Sequence, residues 1–224
     1  MSLDHREIEL IHFLVDAGVL RFGDFTGKSG RRMPYFLDAG RYRSGHQLEE
    51  LGRRYADRLE QVLGDGFDVL FGPAYKGIPL VVATAMHLAR RGRDVGYCFN
   101  RKEAKDHGEG GVLIGHRLRD GDRVVIVEDV TTAGTSVHET VPLLRAAADV
   151  RLVGLIVSVD RQERGAGAAS ALSELAETYA MPTLSLLTID QIVGYLRQHP
   201  VGGRLLIDAE IDAAIDAYRR RYGA

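Results

Sequence analysis

One cysteine, Cys98, is all that the 224 residues contain, so no disulfide can close within the chain. It sits in the apolar-leaning stretch VGYCF, which predicts a packing thiol on a strand rather than a nucleophile. No apolar run approaches the ~18 residues of a membrane span. The first helical segment, residues 4–18, is charged and amphipathic and lacks the uninterrupted apolar core of a signal peptide, so a cytoplasmic protein is expected. An excess of charge of one sign is missing too: 29 Lys and Arg stand against 31 Asp and Glu, and the formal net charge of -2 argues against bulk binding to nucleic acid or anionic membrane. The eight histidines show no HExxH or cysteine-histidine spacing, and zinc is not expected. Neither internal repeats nor low-complexity tracts nor an obvious linker interrupt the chain. At 45% hydrophobic it can bury one sizeable core, and a single α/β domain with embellishments is the expectation.

What is present alternates between two periods. Ile8, Ile11, Leu14 and Val15 recur at helical spacing, and LRFGDF and MPYFLD then flank the turn-rich TGKSGRR as two strands. Leu48, Leu51, Tyr55, Leu59 and Val62 form a second helical stripe, followed by the strand FDVLF, a Gly72-Pro73 turn and a helix from Ile78 to Arg90. VGYCF, RVVIVED and RLVGLIVSVD read as further strands, with helices at roughly 136–148, 168–179 and 189–199. Pro142 falls inside the first of these, which should therefore kink or begin later. Strands alternating with helices predict a parallel, doubly wound sheet whose ligands sit beyond the carboxyl ends of the strands. After Pro200, residues Ile207, Ile211, Ala214, Ile215 and Tyr218 suggest an amphipathic helix that could pack on the core or on a partner.

Two motifs are misleading. Gly27-Lys28-Ser29 resembles a nucleotide-binding P-loop, but Phe22 stands where that motif needs its first glycine. GAGAAS from Gly165 resembles a dinucleotide fingerprint, yet Ser170 replaces its third small residue and RQER separates it from the strand, so it reads as a turn.

The stretch VVIVEDVTTAGTS, from Val124 to Ser136, carries more chemistry. A β-branched strand ends in Glu128 and Asp129, and a loop of hydroxyls and backbone amides from Thr131 to Ser136 opens a helix. Amides and hydroxyls at a helix amino terminus suit a phosphate monoester. The two carboxylates would repel that phosphate and should face hydroxyl donors or developing positive charge. A ribose 5-phosphate meets both demands. Capping of the helix by Thr132, Thr135 and Ser136 is the bland alternative, and the acidic pair weighs against it.

VVIVEDVTTAGTS looks like the phosphoribosyl-diphosphate signature of type I phosphoribosyltransferases. FTGKSGRRMPYFLDAG, FGPAYKGIPL, FNRKEAKDHGEGG and the SVDRQERG stretch resemble, in the same order, segments of the orotate phosphoribosyltransferases. The resemblance implies an α/β fold with a doubly wound, mainly parallel sheet, a small N-terminal hood at about 1–45, a core at about 46–200, a C-terminal helix at about 208–221 and a flexible lid loop. It further implies Mg2+-dependent conversion of orotate and 5-phosphoribosyl 1-diphosphate (PRPP) to orotidine 5-monophosphate and diphosphate. Tyr75, Lys76, Arg101, Lys102, Lys105, His107, Glu128, Asp129 and Val130 to Ser136, that is Val130, Thr131, Thr132, Ala133, Gly134, Thr135 and Ser136, are the implied PRPP-binding residues. Lys28, Tyr35, Phe36, Thr132 and Arg161 fall to the orotate side. Lys105, His107 and Asp129 are the implied catalytic residues.

Charge bookkeeping agrees. Displacing diphosphate from the anomeric carbon builds positive charge on the ribose and negative charge on the leaving group, so carboxylates and cations must flank it. Residues 100–116 form a long polar, glycine-rich connection with Arg101, Lys102, Lys105 and His107, suited to closing over departing charge. In the family this loop reaches across a homodimer, so that Arg101 would serve its own subunit and Lys102, Lys105 and His107 the partner. Arg161 follows a strand end, where its planar fork could take the orotate carboxylate in two bonds. Mg2+ should arrive on the diphosphate and ribose hydroxyls with its waters, with no direct protein ligand. A purine or other pyrimidine phosphoribosyltransferase would share the ribose chemistry but lack the Lys28 hairpin and the RKEAKDHGEGG segment. A PRPP-sensing regulator would need a nucleic-acid module or basic face that the chain does not show.

Overall fold

The computed structural model describes residues 3–27, 30–105, 111–131, 134–165 and 167–224. Helix α1 (His5–Asp16) starts at Asp4 with a capping box, in which Asp4 accepts from the Glu7 amide and Glu7 from the Asp4 amide. It buries Leu10, Ile11 and Leu14. Strands β1 (Leu20–Thr26) and β2 (Arg32–Leu37) form an antiparallel hairpin separate from the main sheet. Helix α2 (Gly45–Leu63) follows, also opened by a capping box, at Ser44.

The main sheet has six strands in the order β5-β4-β3-β6-β7-β8. They are β3 (Val69–Gly72), β4 (Gly96–Lys105), β5 (Gly111–Gly115), β6 (Arg123–Val127), β7 (Arg151–Asp160) and β8 (Thr183–Thr188). All neighbours run parallel except β4 and β5. Helices α3 (Gly77–Arg90), α4 (Thr135–Ala147), α5 (Ala171–Tyr179), α6 (Ile189–Leu196) and α7 (Ala209–Tyr222) complete the chain.

Strand period 2 sorts the core into two layers. Val124 and Ile126 of β6 pack with Val137, Val141 and Leu144 of α4 and with Leu172 and Leu175 of α5. Val125 and Val127 point the other way, into Tyr55 and Leu59 of α2 and Leu80, Val81 and Leu88 of α3. A third cluster joins α1, the β1–β2 hairpin, α6 and α7 over the ends of β7 and β8. The C-terminal helix thus packs within its own chain: Ile215 and Tyr218 are buried, and Tyr218 meets Tyr35 edge-on at 5.6 Å. Among the described helices, none is long and apolar enough to cross a membrane.

Three expectations need correction. The long polar connection at 100–116 is largely a β-ribbon, in which β4 continues to Lys105 and β5 returns from Gly111, leaving only 106–110 undescribed. Charged residues hid it because an edge ribbon tolerates them and needs no apolar alternation. Strand β8 was not anticipated, since its TLSLLT pattern is short and mixed. Pro142 lies within α4, which does not begin later, the second of the two outcomes expected for it; the proline has no amide to donate to the carbonyl of His138, an exposed residue that water can reach.

Candidate active site

Glu128 and Asp129 stand where β6 ends, and each is 6% exposed. Backbone bonds carry the ladder past the strand: the Glu128 amide donates to Ile156 O at 2.9 Å and the Ser158 amide to Asp129 O at 2.8 Å. Tyr55, fully buried on α2, donates its hydroxyl to Glu128 O at 2.6 Å. The acidic pair is therefore fixed from the sheet and from the helix behind it. Burial above all, with the negative charge of Asp129 adding to it against the pull of a Ser136 hydrogen bond, pushes the Glu128 carboxyl up to about 7.

Lys76 brings an ammonium to 3.2 Å from Asp129 Oδ2, an oxygen that is buried without an aligned hydrogen-bond donor. The turn bearing Lys76 is shaped by two glycines: a Cβ on Gly72 would lie 2.3 Å from Gly77 O, and one on Gly77 would lie 2.8 Å from Pro73 Cδ. The Ala74-Tyr75 peptide is cis, and the Ala74 amide donates to Asn100 Oδ1 at 2.9 Å. Tyr75 projects outward, 68% exposed, with Lys102 Nζ 5.4 Å from its ring centroid. Arg101 is half-buried on β4, and its Nη1 is buried without a hydrogen-bond partner.

After Val130 and Thr131 the chain turns into α4 at Gly134. Its φ is +71°, a left-handed conformation that glycine adopts without strain, and its amide donates to Thr131 Oγ1 at 3.0 Å. Among the described residues no side chain caps α4. The first-turn amides of Thr135 and Ser136 stand at the positive end of the helix dipole, with no side-chain acceptor among the described residues. Thr132 and Ala133 lie outside the described residues, as do Lys28 and His107. Lys105 closes β4 by its backbone, opposite Gly111, and its side chain is outside the description.

The strand next to β6 ends at the second half of the site. Arg161, 5% exposed, directs Nε and Nη2 to Glu163 Oε1 at 3.0 and 2.7 Å. Tyr35 is fully buried beside it, with the Arg161 guanidinium 5.5 Å from its ring centroid and its hydroxyl donating to Glu163 Oε1 at 3.0 Å. Burial, then the charge of Glu163, push the Tyr35 phenol well above its ordinary value, so it remains a donor. Phe36, the next residue on the strand, instead stacks on Phe25 at 5.6 Å. Val130 packs against the cluster containing Tyr35, which ties the two halves together.

Sequence reasoning missed Tyr55, Asn100 and Glu163. Tyr55 was visible only as one member of an apolar helical stripe, and Asn100 and Glu163 only inside motifs whose cations drew the attention. Cys98 is a packing residue, fully buried on β4, and burial pushes its thiol up to about 12.

The family model described as "Phosphoribosyl transferase domain" matches residues 38–169. The chain is 54% identical over 216 residues to an orotate phosphoribosyltransferase of Lachnoclostridium phytofermentans, covering 96% of each chain. A second, from Clostridium acetobutylicum, is 51% identical, again covering 96% of each. Among solved structures, the orotate phosphoribosyltransferase of Francisella tularensis superposes with a TM-score of 0.81 at 34% identity, covering 96% of this chain and 100% of that one. With its acidic pair, its open helix terminus and its lysine turn at one end of the sheet, the chain belongs to the phosphoribosyltransferase family, among the orotate phosphoribosyltransferases.

Proposed function

We infer that the protein transfers the 5-phosphoribosyl group of PRPP to orotate, releasing diphosphate and forming orotidine 5-monophosphate on the route to UMP. The observation that carries this reading is the pair of buried carboxylates immediately ahead of a helix terminus that no side chain among the described residues caps. Glu128 and Asp129 take the 2- and 3-hydroxyls of the ribose, and their charge favours the cationic ring that forms as the bond to diphosphate breaks. The 5-phosphate rests on the loop from Val130 to Ser136, where the amides of the first turn of α4 have no side-chain cap among the described residues. Tyr75, Lys76, Arg101 and Lys102 flank the diphosphate. Lys28, Thr132, Tyr35, Phe36 and Arg161 make the orotate side, with the guanidinium of Arg161 meeting the orotate carboxylate.

The β4–β5 ribbon is read as a lid that closes over the leaving group and excludes water, with Lys102, Lys105 and His107 acting across a homodimer. Support for a second copy comes from the outer face of α2 and α3, where Met86 is 52% exposed beside an apolar groove containing Leu48 and Val82. Among the described residues no group of three or more His, Cys, Asp or Glu could hold a metal ion. The residues present fit Mg2+ carried on the diphosphate, ribose hydroxyls and water, because the buried Asp129 Oδ2 offers an acceptor to its water shell. Bound there, the ion supplies charge neutralisation at the diphosphate. The cytoplasm is the expected compartment. The test is loss of orotate absorbance with PRPP and Mg2+ supplied, with diphosphate measured in parallel. Stoichiometric diphosphate release with orotate, and none with adenine in its place, is expected; turnover with adenine alone would sink the assignment.

A further inference from the structure

Two residues beyond Arg161 lies a carboxylate to which the reaction above gives no part. Glu163 is 4% exposed, and its Oε1 gathers Arg161 Nε, Arg161 Nη2 and the Tyr35 hydroxyl within 3.0 Å. Its second oxygen accepts from Arg31 Nη1 at 3.4 Å. Two guanidinium cations against one carboxylate leave one positive charge in this cluster, the sign needed to attract an anionic base. A buried carboxylate collecting donors from the hairpin and from the loop after β7 acts as a hub.

A guanidinium can be held by two different edges, the Nε/Nη2 side and the Nη1/Nη2 end. Glu163 takes the side. At the end, Nη1 meets no protein acceptor among the described residues, and the only other partner of Nη2 is Met33 Sδ at 3.4 Å, a weak acceptor. The loop backbone is pinned as well: Arg219 Nη1 donates to Arg161 O at 3.1 Å and Gln162 O at 2.9 Å, while the Arg164 amide donates to Tyr222 O at 2.9 Å. Helix α7 thus fixes the main chain from which Arg161 and Glu163 project.

We propose that Glu163 is a positioning residue for base recognition: it grips the side of Arg161 so that the guanidinium presents its end-on N–H pair to the carboxylate of the base, while Tyr35 and Arg31 hold Glu163 itself. The proposal rests on the assignment of Arg161 to the orotate carboxylate. Without Glu163 the positive charge survives but its orientation does not, so the loss falls on orotate and spares PRPP.

Steady-state kinetics of the full-length chain test this with three variants. Glu163→Gln keeps the volume and one acceptor oxygen but loses the charge-assisted grip, and the orotate KM should rise about tenfold with the PRPP KM within about twofold. Tyr35→Phe removes one prop and should raise the orotate KM by about threefold in the same direction. Arg161→Ala should raise it by about a hundredfold or more. An unchanged or lowered orotate KM in Glu163→Gln, or a parallel rise in both KM values, while Arg161→Ala affects orotate alone, overturns the role of Glu163 and leaves that of Arg161 standing. An orotate KM unmoved in Arg161→Ala overturns both. Should Glu163→Gln fail to fold, Tyr35→Phe decides, and an unchanged orotate KM there rejects the proposal.

Discussion

At the end of β6, Asp129 Oδ2 is buried with an ammonium 3.2 Å away but no aligned donor; one strand over, past the end of β7, both oxygens of Glu163 have donors. The same contrast runs through the neighbours. On the proposed ribose side Arg101 Nη1 is buried without a partner and no side chain among the described residues caps α4. On the proposed base side Arg161, Tyr35 and Arg31 all turn donors to Glu163, while the Nη1 end of Arg161 and the buried Tyr218 hydroxyl have no protein partner among the described residues. Buried polar groups left unpaired carry a desolvation cost that a ligand can return, and a carboxylate with donors on both oxygens is held in place before any ligand arrives. On the proposed assignment the ribose half gains from binding, and Glu163 orients the guanidinium that meets the base.

The largest effects should fall on the acidic pair and on the ribbon proposed as its lid. Asp129→Asn and Lys105→Ala should each lower turnover by about 10²-fold or more. Mixing the two proteins should restore about a quarter of the native activity, because about half the dimers are mixed and each holds one intact site. No recovery after confirmed subunit exchange would remove the shared site.

A smaller and more selective loss is expected from Arg161→Ala, about 2 to 5 kcal/mol in orotate affinity by calorimetric titration, with PRPP affinity unchanged. Lysine at this position restores charge without the fork and should recover only part. If PRPP affinity fell and orotate affinity held, the two halves would be assigned the wrong way round.

Asn100→Ala sharpens the comparison from the scaffold side. Its Oδ1 accepts from the Ala74 amide, so the substitution loosens the turn holding Lys76 and should raise the PRPP KM by about threefold to tenfold, with a stability loss of about 1 kcal/mol in denaturant titration.

The smallest effect concerns stability. The Glu128 carboxyl sits at about 7, above its ordinary value of 4.5, chiefly through burial. A raised carboxyl favours the folded state fully below about 4.5, and this contribution is lost as pH rises through 7. Glu128→Gln, which never ionises, should therefore raise the Tm of the ligand-free protein by about 2–4 °C at pH 8 and hardly change it at pH 4. It should weaken PRPP binding at the same time. An equal rise at both pH values would mean that burial does not tax this charge.

Much of the frame was legible in local pattern. The βα alternation from Phe67 to Arg90 and again from Arg123 to Ala147 follows from β-branched runs ending in turns and then apolar helices, and the structure repeats it within a few residues. Strands β5 and β8 were not legible, since the GVLIG of β5 is a five-residue run at the end of a charged, glycine-rich segment and the TLSLLT of β8 is too short and mixed for period 2 to stand out. The acidic pair and the hydroxyl loop were readable because one contiguous stretch holds them. The Arg161, Tyr35 and Glu163 cluster was readable only in part: Tyr35 and Arg161 appeared as candidates, but the carboxylate they share did not.

From the sequence by itself came the strand-to-helix turn that joins Glu128 and Asp129 to an open helix terminus, since neighbours in the chain must be neighbours in space and a carboxylate after a core strand has nowhere to go but its end. Only the tertiary structure decided that Lys76 faces Asp129, that Tyr55 props Glu128 from behind, and that Tyr35 and Arg161, 126 positions apart in the numbering, meet on one buried carboxylate. Those pairings depend on strand order and on the packing of α7 over the hairpin. Burial, which raises Glu128 and keeps the phenol of Tyr35 protonated, exists only once the layers close, because desolvation is a property of surroundings and not of a residue type.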